Sequence, residues 1–241
     1  MRLRPTLPAG RTPRIRRGLW LALVAPCAAA ALQFTPPATE PDLMTGRDIN
    51  GVCAGCHGDY GQGGKDGEYP RIAGLPLGYV YNQVKLFQRN TRPNLPMLEH
   101  VHERQLSDQE ILDISAFLSR IELPTRQEPM SETDPRFNAY ERMMEAKRVI
   151  QIPIYEGGVD NGRKIYNKDC RSCHGKDGWG DKEKNAPQLA GQYTQYLWRQ
   201  IDKFIAKVRI HDPDDPDDEM LKEYSREELR DMLAFLSIMD D

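Results

Sequence analysis

The sequence has no apolar run long enough for a membrane span. Its most apolar stretch, Gly18 to Leu32, is fifteen residues, against the roughly 20 that a spanning helix needs. Basic charge is not in surplus. Lys and Arg number 33 against 36 Asp and Glu, a net of −3, which speaks against nucleic acid as a partner. The Gly-rich segments do not have the form of a phosphate-binding loop. The acidic run Asp212 to Glu219 contains Pro213 and Pro216 but no Gly, so it does not match an EF-hand and predicts no specific calcium site. No dedicated base or nucleophile stands out. Cysteine is scarce, at five residues, yet four of the five fall in two short clusters.

Those clusters are Cys53-Ala54-Gly55-Cys56-His57 and Cys170-Arg171-Ser172-Cys173-His174. Each is a C-x-x-C-H, the pattern of covalent c-type haem attachment. Two thiols bond one haem edge, and the following His is held under the iron as its proximal ligand. A bare C-x-x-C also suits a redox dithiol or half of a zinc site. The His after both pairs favours haem, and the 117 residues between the pairs exceed the usual spacing of a zinc ribbon. With four cysteines on haem, none is left for a structural disulfide.

The surroundings of the two motifs repeat. A shift of 117 lays Cys53, Cys56 and His57 on Cys170, Cys173 and His174. The same shift lays Pro70-Arg71-Ile72-Ala73-Gly74 on Pro187-Gln188-Leu189-Ala190-Gly191, and Tyr79, Gln83 and Phe87 on Tyr196, Gln200 and Phe204. With one extra residue, Ser107 to Leu118 falls on Ser225 to Leu236. This is a tandem domain duplication, not a short-period solenoid. Each unit has about 80 residues, enough for one small core to which a haem adds apolar bulk.

The pattern within each unit is helical. Asp48 to Ala54 and Asn161 to Arg171 read as short helices delivering the attachment motifs. Tyr79 to Asn90 and Tyr193 to Lys207 carry aromatic and aliphatic residues at helical spacing. Ser107 with Glu110, and Ser225 with Glu228, form capping boxes that open the terminal helices. The apolar stripe Ile111, Ile114, Ala116, Phe117 and Leu118, echoed by Leu229, Met232, Leu233, Phe235 and Leu236, reads as core. The loops Gly58 to Gly67 and Gly175 to Gly180 let the backbone turn closely around a haem. Between the units, Asp134 caps an expected helix with Pro135 at its first position, running to about Ile150 and presenting Phe137, Tyr140, Met143, Met144 and Val149 to a neighbour.

The order of C-x-x-C-H, Gly-rich loop, P-x-[IL]-A-G, Tyr/Gln/Phe helix, ligand loop and capped terminal helix resembles a class I cytochrome c. The duplication resembles the dihaem cytochrome c-four family. The resemblance implies an all-α fold of two tandem class I cytochrome c domains, each wrapped around one covalently bound c-type haem. The expected division is a signal peptide over 1–32, an extension over 33–45, domain one over 46–122, a linker with a helix over 123–158 and domain two over 159–241. By position, Cys53 and Cys56 hold haem one with His57 on its iron, and Cys170, Cys173 and His174 serve haem two. The family usually supplies a Met from the loop before the terminal helix, and thioether ligation raises the reduction potential. That implies Met220 for haem two, with His211 as the alternative. For haem one it implies Met97, in a Leu-Pro-Met context. Met97 lies ten residues before Ser107, whereas Met220 lies five before Ser225. The repeat alignment sets His102 opposite Met220, so His100 and His102 stay open as ligands of a lower-potential first haem.

Six Arg and no acid precede Gly18, and with the apolar stretch they form the n-region and h-region of a secretory signal. Cleavage near Ala30 to Gln33 is expected, with an uncleaved anchor as the alternative. Arg16-Arg17 lacks the rest of a twin-Arg motif, and Pro26 spoils a lipobox at Cys27. Without those six Arg, 27 basic residues face 36 acidic ones, a net of −9. The expectation is a periplasmic carrier of single electrons with no transmembrane span in the mature chain. It would dock on basic surfaces of a membrane oxidase or an exported dehydrogenase. The alternative is a dihaem enzyme, or its cytochrome subunit, acting on a sulfur compound or peroxide at an open haem.

Overall fold

The computed structural model describes residues 33–150 and 152–239. The expected signal segment, with Cys27, lies outside the described residues. Domain one contains α1 (Leu43–His57), α2 (Leu77–Gln88), α3 (Leu95–Val101) and α4 (Asp108–Ser119). The linker contributes α5 (Ala139–Ala146). Domain two contains α6 (Val159–Ile165), a π turn (Tyr166–Cys170), α7 (Arg171–His174), α8 (Thr194–Ile205), a 3-10 turn (Met220–Glu223) and α9 (Arg226–Leu236). Among the described residues there is no β-strand, only the bridges Gly64–Tyr69 and Asp181–Ala186 at equivalent points of the two repeats.

Each domain is closed by a crossing of its first and last helices, α1 on α4 and α6 on α9. The crossings are so close that only glycine fits. A Cβ on Gly46 would lie 2.3 Å from the Asp113 carbonyl oxygen, and one on Gly162 would lie 1.9 Å from that of Asp231. Gly162 follows Gly46 by 116 positions, but Cys170 follows Cys53 by 117. The one-residue surplus in repeat two is absorbed by the π turn, which widens a single helical turn so that both the crossing and the attachment motif keep their places. The helices delivering the motifs therefore begin earlier than the sequence pattern suggests. Asp42 caps α1 by accepting from the N–H groups of Met44 and Thr45 at 2.8 and 3.3 Å.

Both terminal helices carry the expected capping boxes, Ser107 with Glu110 and Ser225 with Glu228. Their apolar faces build the cores. Ile111, Ile114 and Leu118 pack with Val80 and Tyr81 of α2 in two neighbouring clusters. Leu229, Met232, Leu233 and Leu236 pack with Ile165, Tyr166, Trp198 and Ile201. Each fully buried aliphatic side chain here contributes about 1.5–3 kcal/mol, so these clusters, not the short helices themselves, hold the domains together.

The linker helix differs from expectation. Asp134 does not cap it. Its Oδ1 accepts from the Arg136 N–H at 2.9 Å in a local turn, and Asn138 caps α5 by accepting from Tyr140 and Glu141. Two of the apolar residues of α5 face solvent, Tyr140 at 66% and Met143 at 49% exposed, Met144 is half-buried, and α5 has no fully buried residue. The helix is tethered by polar contacts instead. The Gln127 side chain donates to the Arg142 carbonyl, and Arg142 donates to the Glu128 carbonyl. Ile150, just beyond it, is buried with Ala73 and Leu123.

Candidate haem centres

The two attachment motifs sit at the C-terminal ends of helices, α1 in domain one and α7 in domain two. Each helix ends at a glycine with positive φ, Gly58 at 79° and Gly175 at 82°, a backbone that reverses the chain directly after the His. The returning loop brings a proline carbonyl under the imidazole. Nδ1–H of His57 donates to Pro70 O at 2.8 Å, and Nδ1–H of His174 donates to Pro187 O at 2.8 Å. That bond fixes the tautomer and leaves Nε2 with its lone pair for iron. Burial lowers the His57 imidazolium pKa and pushes that of His174 down to about 4, against the opposing pull of the proline carbonyls. Both rings are therefore neutral, the ligating form.

The four cysteines are unpaired. Burial raises the Cys53 thiol and pushes that of Cys170 up to about 12. A reactive dithiol shows the reverse, a lowered thiol pKa. Cys56 and Cys173 are exposed one turn further on. A pair of thiols three residues apart on one helix edge, followed by a neutral, oriented imidazole, is the donor set that a covalently bound haem requires. The residues fit the group.

The distal candidates fall into different settings. Met97 is half-buried on α3, which packs on α2, and Gln88 ties down the following loop by donating to the carbonyls of Val101 and Leu106 at 2.7 and 3.1 Å. His100 and His102 are exposed, and His102 Nδ1 accepts from the Arg104 N–H at 3.2 Å. In domain two, Met220 opens the 3-10 turn and packs against the core around Trp198 and Leu233. The His211 ring lies beside that of His174, with centroids 6.3 Å apart.

The domains meet through Arg92 and Arg209, which the sequence pattern did not single out, and through Tyr79, Gln83, Tyr196 and Gln200, which it placed only in the repeated helices. Arg92 donates to Gln83 of its own domain at 2.6 Å and to Tyr196 OH and Gln200 of the other at 3.1 and 3.2 Å. Arg209 mirrors it, donating to Gln200 at 2.8 Å and to Tyr79 OH and Gln83 across the interface at 2.7 and 3.2 Å. The guanidiniums also lie over Phe87 and Phe204 respectively. The contact is reciprocal, as in an isologous interface. Neither Arg forms an ion pair among the described residues. Burial would raise the Tyr196 hydroxyl, but the charges of Arg92 and Arg209 hold it below the usual phenol range. The P-x-[IL]-A-G loops also face each other: Gln188 donates to Ala73 O at 2.7 Å, and Gln192 brackets the Arg71 backbone, accepting from its N–H and donating to its carbonyl at 3.0 and 2.9 Å. Arg92 and Arg209 lie 117 positions apart, so the repeat itself held the signal that would have singled them out.

The Cytochrome c family profile matches residues 45–122 and 159–240. A thiosulfate dehydrogenase electron acceptor of Stutzerimonas stutzeri (strain A1501) is 29% identical over 197 residues, covering 82% of this chain and 80% of that protein. Cytochrome c4 of Azotobacter vinelandii is 27% identical over 187 residues, covering 72% and 77%. Among solved structures, reduced recombinant cytochrome c4 from Pseudomonas stutzeri aligns with a TM-score of 0.61 at 19% identity, over 82% of this chain and 98% of that one. The thiosulfate dehydrogenase of Marichromatium purpuratum aligns with a TM-score of 0.61 at 21% identity, over 82% of this chain and 40% of that one. With two matched domains, each presenting the two thiols and the oriented imidazole, the chain belongs to the cytochrome c family and is a dihaem class I cytochrome of the cytochrome c4-like kind.

Proposed function

We propose that this dihaem electron-transfer protein works in the periplasm, taking single electrons from an exported dehydrogenase and passing them to a membrane oxidase or a comparable redox partner. Haem iron supplies the one-electron chemistry. The chain's own residues do the rest. Cys53, Cys56, Cys170 and Cys173 hold the haem edges, and His57 and His174 are the proximal ligands. Met97 completes the first centre. Arg209, buried, and Arg92, half-buried beside it, have no carboxylate partner among the described residues and offer positive charge to haem propionates. The observation that carries the reading is the reciprocal Arg–Tyr–Gln network, which locks two like centres into one unit.

The segment 1–32 serves as the export signal, consistent with haem attachment outside the cytoplasm. No helix among the described residues is long and apolar enough to cross a membrane. The donor class follows from the likeness to proteins named thiosulfate dehydrogenase electron acceptor. The net charge of −9 without the signal suits docking on a basic surface, with rates that fall as salt rises. The test mixes the oxidised holoprotein with thiosulfate, with and without a thiosulfate dehydrogenase, and follows haem reduction by stopped-flow absorbance. Reduction only when the dehydrogenase is present supports the carrier role. Steady oxidation of thiosulfate by this protein alone would sink it in favour of an enzyme.

A further inference from the structure

Domain one carries a cleft at a place where domain two is filled. Four positions after the crossing glycine stands Asn50 in domain one and Tyr166 in domain two. Tyr166 is fully buried. Its ring stands edge-on to Phe235, with centroids 5.7 Å apart. Its hydroxyl donates to Gly175 O at 2.6 Å, with His174 O at 3.3 Å. Asn50 holds the corresponding turn with a shorter side chain and one bond, from Nδ2 to Asp59 O at 3.1 Å. Beside it opens a cleft of about 650 Å³, walled by Tyr60, Phe117 and three arginines, Arg47, Arg120 and Arg148.

The charges around this cleft are not matched within it. Arg47 stands one turn before Asn50 on α1 and touches only its neighbour Asp48, at 3.6 Å. Arg120 is the C-cap of α4. Arg148 comes from the linker, its guanidinium 5.0 Å from the centre of the Tyr60 ring. Tyr60 packs with Ile150 in the Ala73–Leu123 cluster, which fixes this stretch of the linker on domain one. Neither Arg120 nor Arg148 has an ion pair among the described residues, although Asp59 and Glu122 share the cleft. Asn50 is 5% exposed, yet its Oδ1 has no hydrogen-bond partner. A buried acceptor without a donor is costly, and native proteins answer it with a water, an ion or a ligand. Domain two has no such site. The counterpart of Arg120 is Ile238, that of Arg47 is Arg163, which lies over the Phe235 ring, and Arg148 belongs to no repeat.

Guanidiniums call for an anion. The two carboxylates and the amide oxygen of Asn50 call for a hydrogen-bond donor. An oxyanion that keeps a hydroxyl satisfies both demands, and a fully ionised one satisfies only the first. We propose that this cleft is an anion site for hydrogen phosphate, with Arg120 and Arg148 on its charged oxygens and Asn50 Oδ1 accepting from its hydroxyl. Asp59 and Tyr60 directly follow His57 in the chain, so the bound anion adds negative charge beside the first haem and favours its ferric state. This last consequence, unlike the binding itself, rests on the reading that haem is held at Cys53, Cys56 and His57.

The test titrates the exported holoprotein with inorganic phosphate by isothermal titration calorimetry. Sulfate and thiosulfate, neither of which carries a proton at neutral pH, are titrated at the same ionic strength. Saturable binding is expected for phosphate and not for the other two. The surface double variant Arg120→Gln/Arg148→Gln should keep the haem content and circular dichroism of the wild type and bind phosphate about tenfold or more weakly. Asn50→Tyr, which copies domain two, should abolish binding. A redox titration with phosphate should lower one midpoint potential and leave the other in place. Absence of saturable phosphate binding, equal binding of sulfate, or undiminished phosphate binding by the double arginine variant would overturn the site, and the arginine variant decides this even if Asn50→Tyr does not fold. Phosphate binding with both potentials unchanged would overturn the link to the first haem and leave the anion site standing.

Discussion

Adding one methyl group at Gly46 should damage the protein, and adding it five residues later should strengthen it. Both glycines are inside α1, so each Gly→Ala change gains about 0.8–1.0 kcal/mol of intrinsic helix preference. At Gly51 nothing lies within 4 Å of the new Cβ, and the gain stands. At Gly46 the new Cβ would lie 2.3 Å from Asp113 O and 2.8 Å from Phe117 Cβ. Neither is the free end of a flexible side chain, so α1 must move away from α4. Overpacking of this kind costs about 1–3 kcal/mol and sometimes more, and two such contacts put the site at the upper end. The net loss is about 2 kcal/mol after the helix gain. For a domain of this size each kcal/mol is worth about 4–8 °C in Tm. Gly162→Ala, with its Cβ 1.9 Å from Asp231 O, should cost at least as much in domain two. Thermal melts of the holoproteins, followed by far-UV and Soret circular dichroism, measure this directly. Equal shifts of the same sign for Gly46→Ala and Gly51→Ala would refute the argument that the helix crossing is what demands glycine.

Three further results are expected. Asn161 and the Gly158 N–H, at 2.9 and 2.6 Å, hold the Asp231 carboxyl below the usual carboxylate range. Its contribution is therefore fully present above about pH 4 and is lost as pH falls through the lowered value. Asp231→Asn should cost stability at neutral pH, and denaturation against pH should show the gap from wild type closing in acid; a constant gap would count against the assignment. Arg209→Met removes buried hydrogen bonds from a charged donor, worth about 1.5–3 kcal/mol. Each single variant also relieves the repulsion between the two guanidiniums, a relief the double variant gains only once, so the double variant with Arg92→Met should cost more than the sum of the singles, and additivity in the urea-denaturation cycle would contradict a shared network. Electron uptake from a basic partner should slow as ionic strength rises, and a salt-independent stopped-flow rate would rule out the acidic surface as the docking face.

The parts of this molecule legible in the sequence are those set by local chemistry. The candidate haem-binding residues stand out as C-x-x-C-H because two thioethers and an axial imidazole need that spacing on a helix. The capping boxes at Ser107 and Ser225 are readable because both partners lie within one turn. Less legible were features that depend on a distant partner. Gly46 and Gly162 look like ordinary helix-weakening glycines until the carbonyls of Asp113 and Asp231 appear opposite them. Tyr79, Gln83, Tyr196 and Gln200 repeat at 117, which marks them as parts of the duplicated unit but does not say that they face each other through Arg92 and Arg209. The linker helix was misplaced because Asp134 and Asn138 are both good caps, and the local bond of Asp134 to Arg136 decided between them.

The duplication also shows which elements have room to diverge. The His-to-proline-carbonyl bond, the glycine crossing and the capped terminal helix occur in both repeats with nearly the same distances. A one-residue difference upstream of the second motif was accommodated by a π turn without disturbing any of them. The distal loops share no such frame. Domain one fills that space with α3 and a clamp from Gln88. Domain two fills it with an acidic, proline-interrupted loop held by Lys207 and Arg209. The proximal side fixes where a haem sits, whereas the sixth ligand sets its potential. A duplicated protein that keeps the proximal frame and varies the distal loop can thus turn two equivalent sites into two potentials. The interface network, built from residues next to both distal loops, ties the two halves together through Arg92 and Arg209.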